Sequence, residues 1–137
     1  MSHIAATPEA GKQFYQAYHD QGKVVMLNLL KFKTVADYSG LEHLDPGKEI
    51  SGREAYQLYM EATTPLLKAA GSRVLFLGES AGYLIGPQDE SWDLVLLVEH
   101  GSVAQFVAFA QNEDYLKTAG HRTAALADSR LLPISQK

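Results

Sequence analysis

The stretch KVVMLNLLKFK, residues 23–33, decides the fold of this chain. Read as a strand, it places apolar side chains on both of its sides, with Val24, Met26, Leu30 and Phe32 on one and Val25, Leu27 and Leu29 on the other. Such a strand has to be covered on both faces, because apolar side chains gain free energy when they leave water. The stretch therefore predicts a strand at the centre of a sheet that is buried on its two faces.

The segment before this strand predicts a helix. Thr7 is suited to cap it, Pro8 to occupy its first position, and Glu9 to lie beside the positive end of the helix dipole. We expect the helix to run to about Asp20, so that residues 1–22 form an N-terminal helical extension.

The segment after the strand predicts a long loop and then a helix. Residues 34–50 show no sustained hydrophobic period and contain the turn signal Asp45-Pro46-Gly47, which indicates a surface loop. Ser51 and Glu54 have the spacing of a capping box, and the helix they open is predicted to end at Gly71.

The rest of the chain predicts three more strands and a second helical region. The strands are expected at residues 73–79, with a resumption at 83–85, and at 92–100 and 130–134. Ser102 caps one helix, and a further helical segment is expected from Asn112 to about Asp128. The order β-α-β-β-α-β, with one extra helix in front, predicts a single α+β domain over residues 1–137 with a ferredoxin-like, four-stranded antiparallel sheet.

Composition restricts the classes of partner and chemistry. The 12 basic and 16 acidic residues give a formal net charge of −4, and no basic run is present, so nucleic acid is not an expected partner. The sequence contains no cysteine, which excludes disulfides, thiolate metal sites and cysteine nucleophiles. No stretch approaches the roughly 18 apolar residues of a membrane span, and the first residues do not resemble a signal peptide, so we expect a cytoplasmic protein.

The second apolar face of the sheet predicts a partner. Leaving about five large apolar side chains in water would forgo about 1.5–3 kcal/mol for each. That sum rivals the roughly 5–15 kcal/mol that stabilises a whole domain. A homodimer that pairs two sheets face to face is the simplest solution. The alternative is a monomer in which the N-terminal helix covers part of this face.

Four segments together resemble a known family. They are Val25–Phe32, Ser51–Tyr59, the pair Trp92-Asp93, and His121–Ser129. Their combination and order resemble the domain-of-unknown-function family numbered 1330, within the dimeric α+β barrel superfamily, over residues 23–134. The resemblance implies a ferredoxin-like protomer and a face-to-face dimer. It implies no activity, since the wider superfamily includes cofactor-independent monooxygenases, haem-degrading enzymes, muconolactone isomerase-like enzymes and ligand-sensing domains.

Arg122 is the most informative polar residue. On a helix that starts at Glu113, it shares a stripe with Tyr115, Ala119 and Leu126, which points its guanidinium toward the sheet. One interpretation is a clamp for the carboxylate or enolate of a small ligand. The other is a structural ion pair, for which the candidate carboxylates are Asp93, Glu79 and Asp128.

His121 and Glu79 are the candidate catalytic residues. His121 projects away from the Arg122 stripe and is either a solvated histidine or, if the helix unwinds near Gly120, a base that reaches a cavity. Glu79 ends the second strand and is either solvated or, where burial raises its pKa, a general base. A haem-handling enzyme would need His121 or His100 as axial ligand. We predict neither a cofactor nor a metal, because the histidines show no metal-ligand spacing.

Three further residues are candidates for ligand binding. Asn28 is a lone amide in an apolar strand and needs a definite partner, which is a ligand oxygen, a backbone group or the matching strand of a second subunit. Trp92 and Tyr59 would wall a pocket or simply fill the core. These residues favour a cavity between the sheet and the helices at 51–71 and 112–128.

The hypothesis for this cavity is a site for a small organic acid or carbonyl compound. Such a protein could be a cofactor-free isomerase or monooxygenase, since an anion clamp would also stabilise an enolate. Hydrolase elbows, P-loops and dinucleotide fingerprints do not occur in the sequence. The alternative is a non-enzymatic dimerisation or ligand-binding module in which Arg122 is a structural brace.

Overall fold

A four-stranded antiparallel sheet forms the centre of the computed structural model, which describes residues 2–137. Its strands are β1 Val24–Phe32, β2 Arg73–Glu79, β3 Leu94–His100 and β4 Leu126–Ile134. They lie in the order β2-β3-β1-β4, and every neighbouring pair is antiparallel. The predicted ferredoxin-like α+β fold is confirmed, with the residue 23–33 stretch as an inner strand.

Five helices accompany the sheet. They are α1 Pro8–Tyr18, α2 Gly52–Ala69, α3 Val103–Ala110, α4 Glu113–Thr118 and α5 Gly120–Ala125. The predicted caps are present where the first three begin. The Thr7 hydroxyl accepts from the Ala10 amide, and Ser51 and Glu54 complete a capping box. Local polar residues therefore set where these helices start.

The C-terminal region differs from the prediction. In place of one helix to about Asp128, α4 and α5 are separate short helices, and β4 begins at Leu126 rather than at Arg130. The reason is that β4 pairs with β1 from Leu126 to Ile134, so sheet hydrogen bonds replace helical ones over the predicted last turn. The expected resumption of β2 at residues 83–85 was also wrong, since this connection makes only the isolated bridge Gly82 to Ser91.

The helices cover one face of the sheet, which we call the helix face. Val24, Met26 and Leu30 of β1 point to it and are buried. Helix α1 also lies on this side, because Phe14 packs edge-on against Phe106 of α3 with ring centroids 5.6 Å apart. The alternative in which the N-terminal helix covers the other face is therefore wrong.

The second face, which we call the open face, carries apolar side chains from all four strands. The strand register places on it Val25, Leu27, Leu29, Phe76, Val95, Leu97, Leu132 and Ile134. Phe76 and Leu132 are each 57% exposed. Within residues 2–137, this face has no cover comparable to that of the helix face.

Residues 34–50 contain no helix or strand, yet they are more than a surface loop. Tyr38 and Ile50 are buried in one cluster with Leu30 and Leu126. The loop also packs on α5, where a side chain at Gly120 would meet Leu44. Among the residues that the structure describes, no helix has both the length and the apolar character needed to cross a membrane.

Candidate functional site

A cavity of about 240 Å³ lies between the helix face and the helices above it. Met26, Asn28, Leu96 and Val98 of the sheet form its floor. Side chains of α2, α3 and α4 form its walls, and residues 4–6 also line it. The cavity thus occupies the place predicted from the sequence, between the sheet and the helices at 51–71 and 112–128.

Arg122 of α5 lines this cavity. Its Nη1 donates to the Ile4 carbonyl at 2.7 Å, and its Nη2 donates to the Ser129 hydroxyl at 3.4 Å. Those contacts use two of the five guanidinium donors. Of the described residues that line the cavity, Arg122 is the one that carries a formal charge at neutral pH.

The predicted ion pair of Arg122 does not form. The three candidate carboxylates have other partners. Asp93 accepts from the Phe32 amide, Glu79 lies 3.8 Å from Arg53, and Asp128 lies 2.8 Å from Arg130. Among residues 2–137, no carboxylate lies within salt-bridge distance of Arg122. The guanidinium therefore faces the cavity without a counter-ion from the described chain.

Asn28 lies on the cavity floor in the middle of β1. Its Nδ2 donates to the carbonyls of Met26 and Leu96, each at 3.3 Å. The amide nitrogen thus has backbone partners, as one of the sequence alternatives proposed. Its Oδ1 accepts no hydrogen bond from residues 2–137, which leaves one acceptor beside the cavity.

Three tyrosines, Tyr56, Tyr59 and Tyr115, line the same cavity as Arg122. Tyr59, predicted as a wall residue, is placed at the cavity and shares a 2.8 Å hydrogen bond with the Tyr115 hydroxyl. Its ring also packs against Tyr56 at 5.1 Å. Burial raises the pKa of both Tyr56 and Tyr59, so their hydroxyls stay protonated at neutral pH. The neutral hydroxyls can donate hydrogen bonds to a ligand. They do not compete with an anionic ligand for the Arg122 guanidinium, because they carry no negative charge.

His100 is a cavity residue that the sequence reasoning considered only as a haem ligand. Its side chain is buried, and its Nδ1 shares a 2.7 Å hydrogen bond with the Ser72 hydroxyl. Burial lowers the pKa of His100 to about 4, so the ring is neutral at pH 7. The available signal was its position on β3, where it shares a side with Leu96 and Val98.

Trp92 is not at the cavity. It precedes β3 in the chain, and its backbone amide donates to the Ala81 carbonyl. Its indole is buried and donates to the Tyr83 hydroxyl at 2.6 Å, while the Arg130 guanidinium lies 5.0 Å from the ring centre. Trp92, which was predicted to wall the pocket, therefore does not belong to its lining.

The two candidate catalytic residues also lie outside the cavity. The Nδ1 of His121 shares a 2.7 Å hydrogen bond with Tyr38 of the 34–50 loop, and burial together with nearby His43 lowers its pKa. The helix is indeed interrupted at Ala119, next to Gly120, yet His121 on the following helix faces this loop and not the cavity. The side chain of Glu79 is 80% exposed and lies 3.8 Å from Arg53, so it is a surface residue and not a cavity residue.

The described residues offer no evident metal centre. Within residues 2–137, no group of three or more histidine, aspartate or glutamate side chains is arranged to hold a metal ion. The cavity instead combines an apolar and aromatic lining with hydroxyl, amide and imidazole groups and a single cation. That combination suits hydrogen bonding to a small organic molecule that carries a negative charge.

Similar structures support the fold. A protein of unknown function from Rhodopseudomonas palustris is 36% identical over 100% of this chain and 98% of its own, with a TM-score of 0.86. A dimeric ferredoxin-like protein from Bacteroides fragilis aligns at 13% identity over 87% of this chain and 100% of its own, with a TM-score of 0.51. None of the curated proteins is similar enough in sequence to count as a match.

A structure from Caulobacter crescentus, provisionally described as an antibiotic biosynthesis monooxygenase, is similar at 10% identity over 91% of this chain and 98% of its own, with a TM-score of 0.54. That likeness shows the fold alone. The family model for the domain of unknown function DUF1330 matches residues 48–134. This segment contains the whole of α2, the strands β2 to β4 and the Arg122 region, and it spans more than half of the sequence. The chain therefore belongs to the DUF1330 family.

Proposed function

We propose that the cavity binds a small, partly apolar organic acid or carbonyl compound whose negative charge is held by Arg122. The observation that carries this proposal is the position of Arg122. It is the charged residue of the lining, and it has no carboxylate partner among the described residues. A cation in such surroundings is stabilised by an anion, because hydrogen bonds between ionised partners are about twice as strong as neutral ones.

The size of the cavity limits the ligand. A cavity of about 240 Å³ exceeds the roughly 150 Å³ of an engineered apolar cavity that binds benzene. It lies below the roughly 300–1,000 Å³ typical of sites for drug-sized molecules. We therefore expect a ligand of about one ring with a short side chain, or a short aliphatic acid of similar volume.

The catalytic version of this proposal is a cofactor-free isomerase or monooxygenase. In both reactions a carbonyl substrate passes through an enolate, and a guanidinium that holds a carboxylate can also stabilise an enolate oxygen. His121 and Glu79 lie outside the cavity, so neither supports this version as its base. The alternative is a non-enzymatic dimerisation or ligand-binding module in which Arg122 is a structural brace. The hydrogen bond from Arg122 to the Ile4 carbonyl favours this alternative.

The test is a thermal-shift screen of organic acids and aromatic carbonyl compounds on the wild type, Arg122→Met and Arg53→Met. Arg53 is the matched control, because it stacks on Phe32 at 5.1 Å and is absent from the cavity lining. We expect carboxylates to raise the melting temperature of the wild type and of Arg53→Met, but not of Arg122→Met. The absence of any ligand-induced shift in the wild type would contradict the proposal.

The stability of Arg122→Met without ligand separates clamp from brace. A brace predicts a loss of about 1.5–3 kcal/mol in free energy of unfolding for a hydrogen bond of a charged group. A clamp predicts a change of less than about 1 kcal/mol, because the substitution also removes a partly buried, unpaired charge. Urea denaturation measures this difference, provided that the dependence of the free energy on urea concentration has the same slope in both proteins.

We also propose that a second copy of the chain covers the open face. The exposed Phe76 and Leu132 support it, since large apolar patches on soluble proteins mark interaction sites. The similar protein from Bacteroides fragilis is described as dimeric. A two-fold axis would bring the same patch of both chains together.

A further inference from the structure

The hydroxyl of Tyr56 is unpaired and accessible. Tyr56 lies on α2, lines the cavity and is 3% exposed, and its hydroxyl has no hydrogen-bond partner among residues 2–137. Within the described residues, the fully enclosed side-chain oxygen without a partner is that of Thr63, so the Tyr56 oxygen keeps accessible surface. By contrast, the hydroxyls of Tyr59 and Tyr115 are hydrogen-bonded to each other at 2.8 Å. The Tyr56 hydroxyl is therefore free to bind a molecule in the cavity.

Tyr56 and Arg122 lie at the same end of the cavity. The Tyr56 ring packs on Phe32 of β1, with ring centroids 5.4 Å apart. Arg122 donates to Ser129, whose pairing partner on β1 is Leu30. Leu30 and Phe32 are two positions apart on the strand, which corresponds to about 7 Å. Both side chains therefore stand over the same end of β1.

The packing of α2 on α5 also brings Tyr56 and Arg122 together. Gly52, at the start of α2, closely approaches the Ala125 carbonyl at the end of α5. Tyr56 is about one helical turn after Gly52, and Arg122 is about one turn before Ala125. Burial raises the pKa of Tyr56, and the nearby Arg122 charge opposes that rise. The hydroxyl stays protonated at neutral pH, so it is a hydrogen-bond donor beside the guanidinium.

Two donors at one end of the cavity suit a ligand with several acceptor oxygens at one end. Arg122 has five N–H donors, and the contacts with Ile4 and Ser129 leave three of them. Two parallel N–H groups bind a carboxylate in bidentate geometry. The Tyr56 hydroxyl is then available for a further oxygen, and the carbon next to the carboxylate is the nearest position that can carry one. A keto oxygen suits this donor, because it accepts hydrogen bonds and has no proton of its own.

We propose that Arg122 and Tyr56 together form a site for 2-oxo acids, in which Arg122 holds the carboxylate and the Tyr56 hydroxyl donates to the keto oxygen. The proposal rests on the proposed function of Arg122 as the carboxylate clamp. It narrows the ligand from an organic acid or a carbonyl compound to a molecule that carries both groups on adjacent carbons. The rest of the cavity lining is largely apolar, which suits a short aliphatic or aromatic remainder of the ligand.

In this role Tyr56 determines specificity. A neutral hydrogen bond to the keto oxygen contributes a preference of about two- to tenfold, which corresponds to roughly 0.5–1.5 kcal/mol. Tyr56→Phe removes the hydroxyl and keeps the ring. The substitution should therefore reduce the preference for the 2-oxo acid by this factor and leave the binding of a plain carboxylate unchanged.

The experiment measures dissociation constants by titration calorimetry at neutral pH for 4-methyl-2-oxopentanoate and 4-methylpentanoate, which differ only in the keto oxygen. The proteins are the wild type, Tyr56→Phe and the matched control Tyr15→Phe. Tyr15 is 54% exposed on α1 and absent from the cavity lining. We expect the wild type and Tyr15→Phe to show the same preference for the 2-oxo acid, and Tyr56→Phe to show a preference that is about two- to tenfold smaller.

The outcomes separate this inference from the proposed function. If the wild type has no preference, or if Tyr56→Phe keeps it, the role of Tyr56 is refuted while the Arg122 clamp stands, because both acids still bind. If Tyr56→Phe weakens both acids equally, the hydroxyl contacts the carboxylate and the 2-oxo assignment is refuted. If the wild type binds neither acid, the 2-oxo acid class is refuted, and the screen of other acids on Arg122→Met tests the clamp separately.

A second measurement needs no ligand. A hydroxyl without a partner does not stabilise the fold, so Tyr56→Phe should unfold in urea at the same midpoint as the wild type or a higher one. Tyr18→Phe is the contrast, because the Tyr18 hydroxyl donates to the Pro133 carbonyl at 3.1 Å, and its midpoint should be lower. A loss in Tyr56→Phe as large as that in Tyr18→Phe would show that the Tyr56 hydroxyl is bonded within the fold, which would refute its role as a free donor.

Discussion

At the scale of single residues, burial of His100 couples the stability of the fold to pH. Its pKa is about 4 in the folded chain because burial disfavours the charged ring, whereas an unfolded histidine titrates near 6.5. Between these values the unfolded chain binds more protons, so stability rises with pH. The groups packed against the ring are Ser72, Phe106 and Phe109, none of which is charged.

We therefore expect the stabilising contribution of neutral His100 to be complete above about pH 6.5. The free energy of unfolding should then fall by an amount on the order of 2–3 kcal/mol as the pH is lowered to about 4. His100→Gln should lack this component, so the difference between the two proteins in urea denaturation at pH 7 and pH 4.5 isolates it. Burial of Asp128 opposes the combined effect of the hydrogen bonds from His3, Ser129 and Arg130, which lowers its pKa in the folded chain. Asp128 is present in both proteins, so its contribution cancels. Equal pH dependence of the two proteins would contradict the assignment.

At the scale of elements, the start of α2 depends on a close approach of backbones. Gly52 donates its amide to the Lys33 carbonyl at 3.0 Å, and a Cβ at this position would meet that carbonyl and lie 2.6 Å from the Ala125 carbonyl. Both obstacles are backbone atoms, which cannot move aside as a flexible side chain would. This contact joins α2 to the ends of β1 and α5, and so sets how the helix lies over the cavity.

Gly52→Ala should therefore lower the free energy of unfolding by about 1–3 kcal/mol or more, as overpacking does. Gly11→Ala in α1 is the matched control, because nothing lies within 4 Å of a Cβ there. That variant should gain roughly 0.5–1 kcal/mol from the better helix propensity of alanine. Chemical denaturation measures the free energy of unfolding of both variants. If both substitutions change it equally, the close backbone approach does not restrict the residue at position 52.

At the scale of the whole molecule, the open face should determine oligomeric state. Phe76→Asp and Leu132→Asp each place a charge on that face, where both side chains are 57% exposed in the single chain. A charge buried in an apolar interface is unfavourable, so we expect the wild type to sediment as a dimer at micromolar concentration and both variants as monomers. Leu116→Asp is the matched control, since Leu116 is 58% exposed on α4, away from the sheet, and should leave the dimer intact. A monomeric wild type would refute the dimer.

The elements and their order could be predicted from the sequence, because the signals for them are local. Thr7 and Ser51 cap the helices that follow them, and continuous apolar runs with apolar residues on both sides indicate β1 and β3. The end of the chain was predicted less well. Residues 126–128 were expected at the end of a helix, yet they pair with β1 and belong to β4. No window of local sequence contains that distant partner.

Some residues of the candidate site could also be predicted from the local sequence, and others could not. Helical periodicity alone indicated that Arg122 points toward the sheet. Asn28 was identified because it is a lone amide in an otherwise apolar strand. By contrast, only the tertiary structure decided that Thr63 and His100 line the same cavity, that Trp92 and His121 lie outside it, and that Arg122 has no carboxylate partner. The physical reason is that alternation and capping act between residues a few positions apart, whereas a cavity is defined by which helix covers which strand. That arrangement is set by packing among residues as far apart in the chain as Ile4 and Arg122.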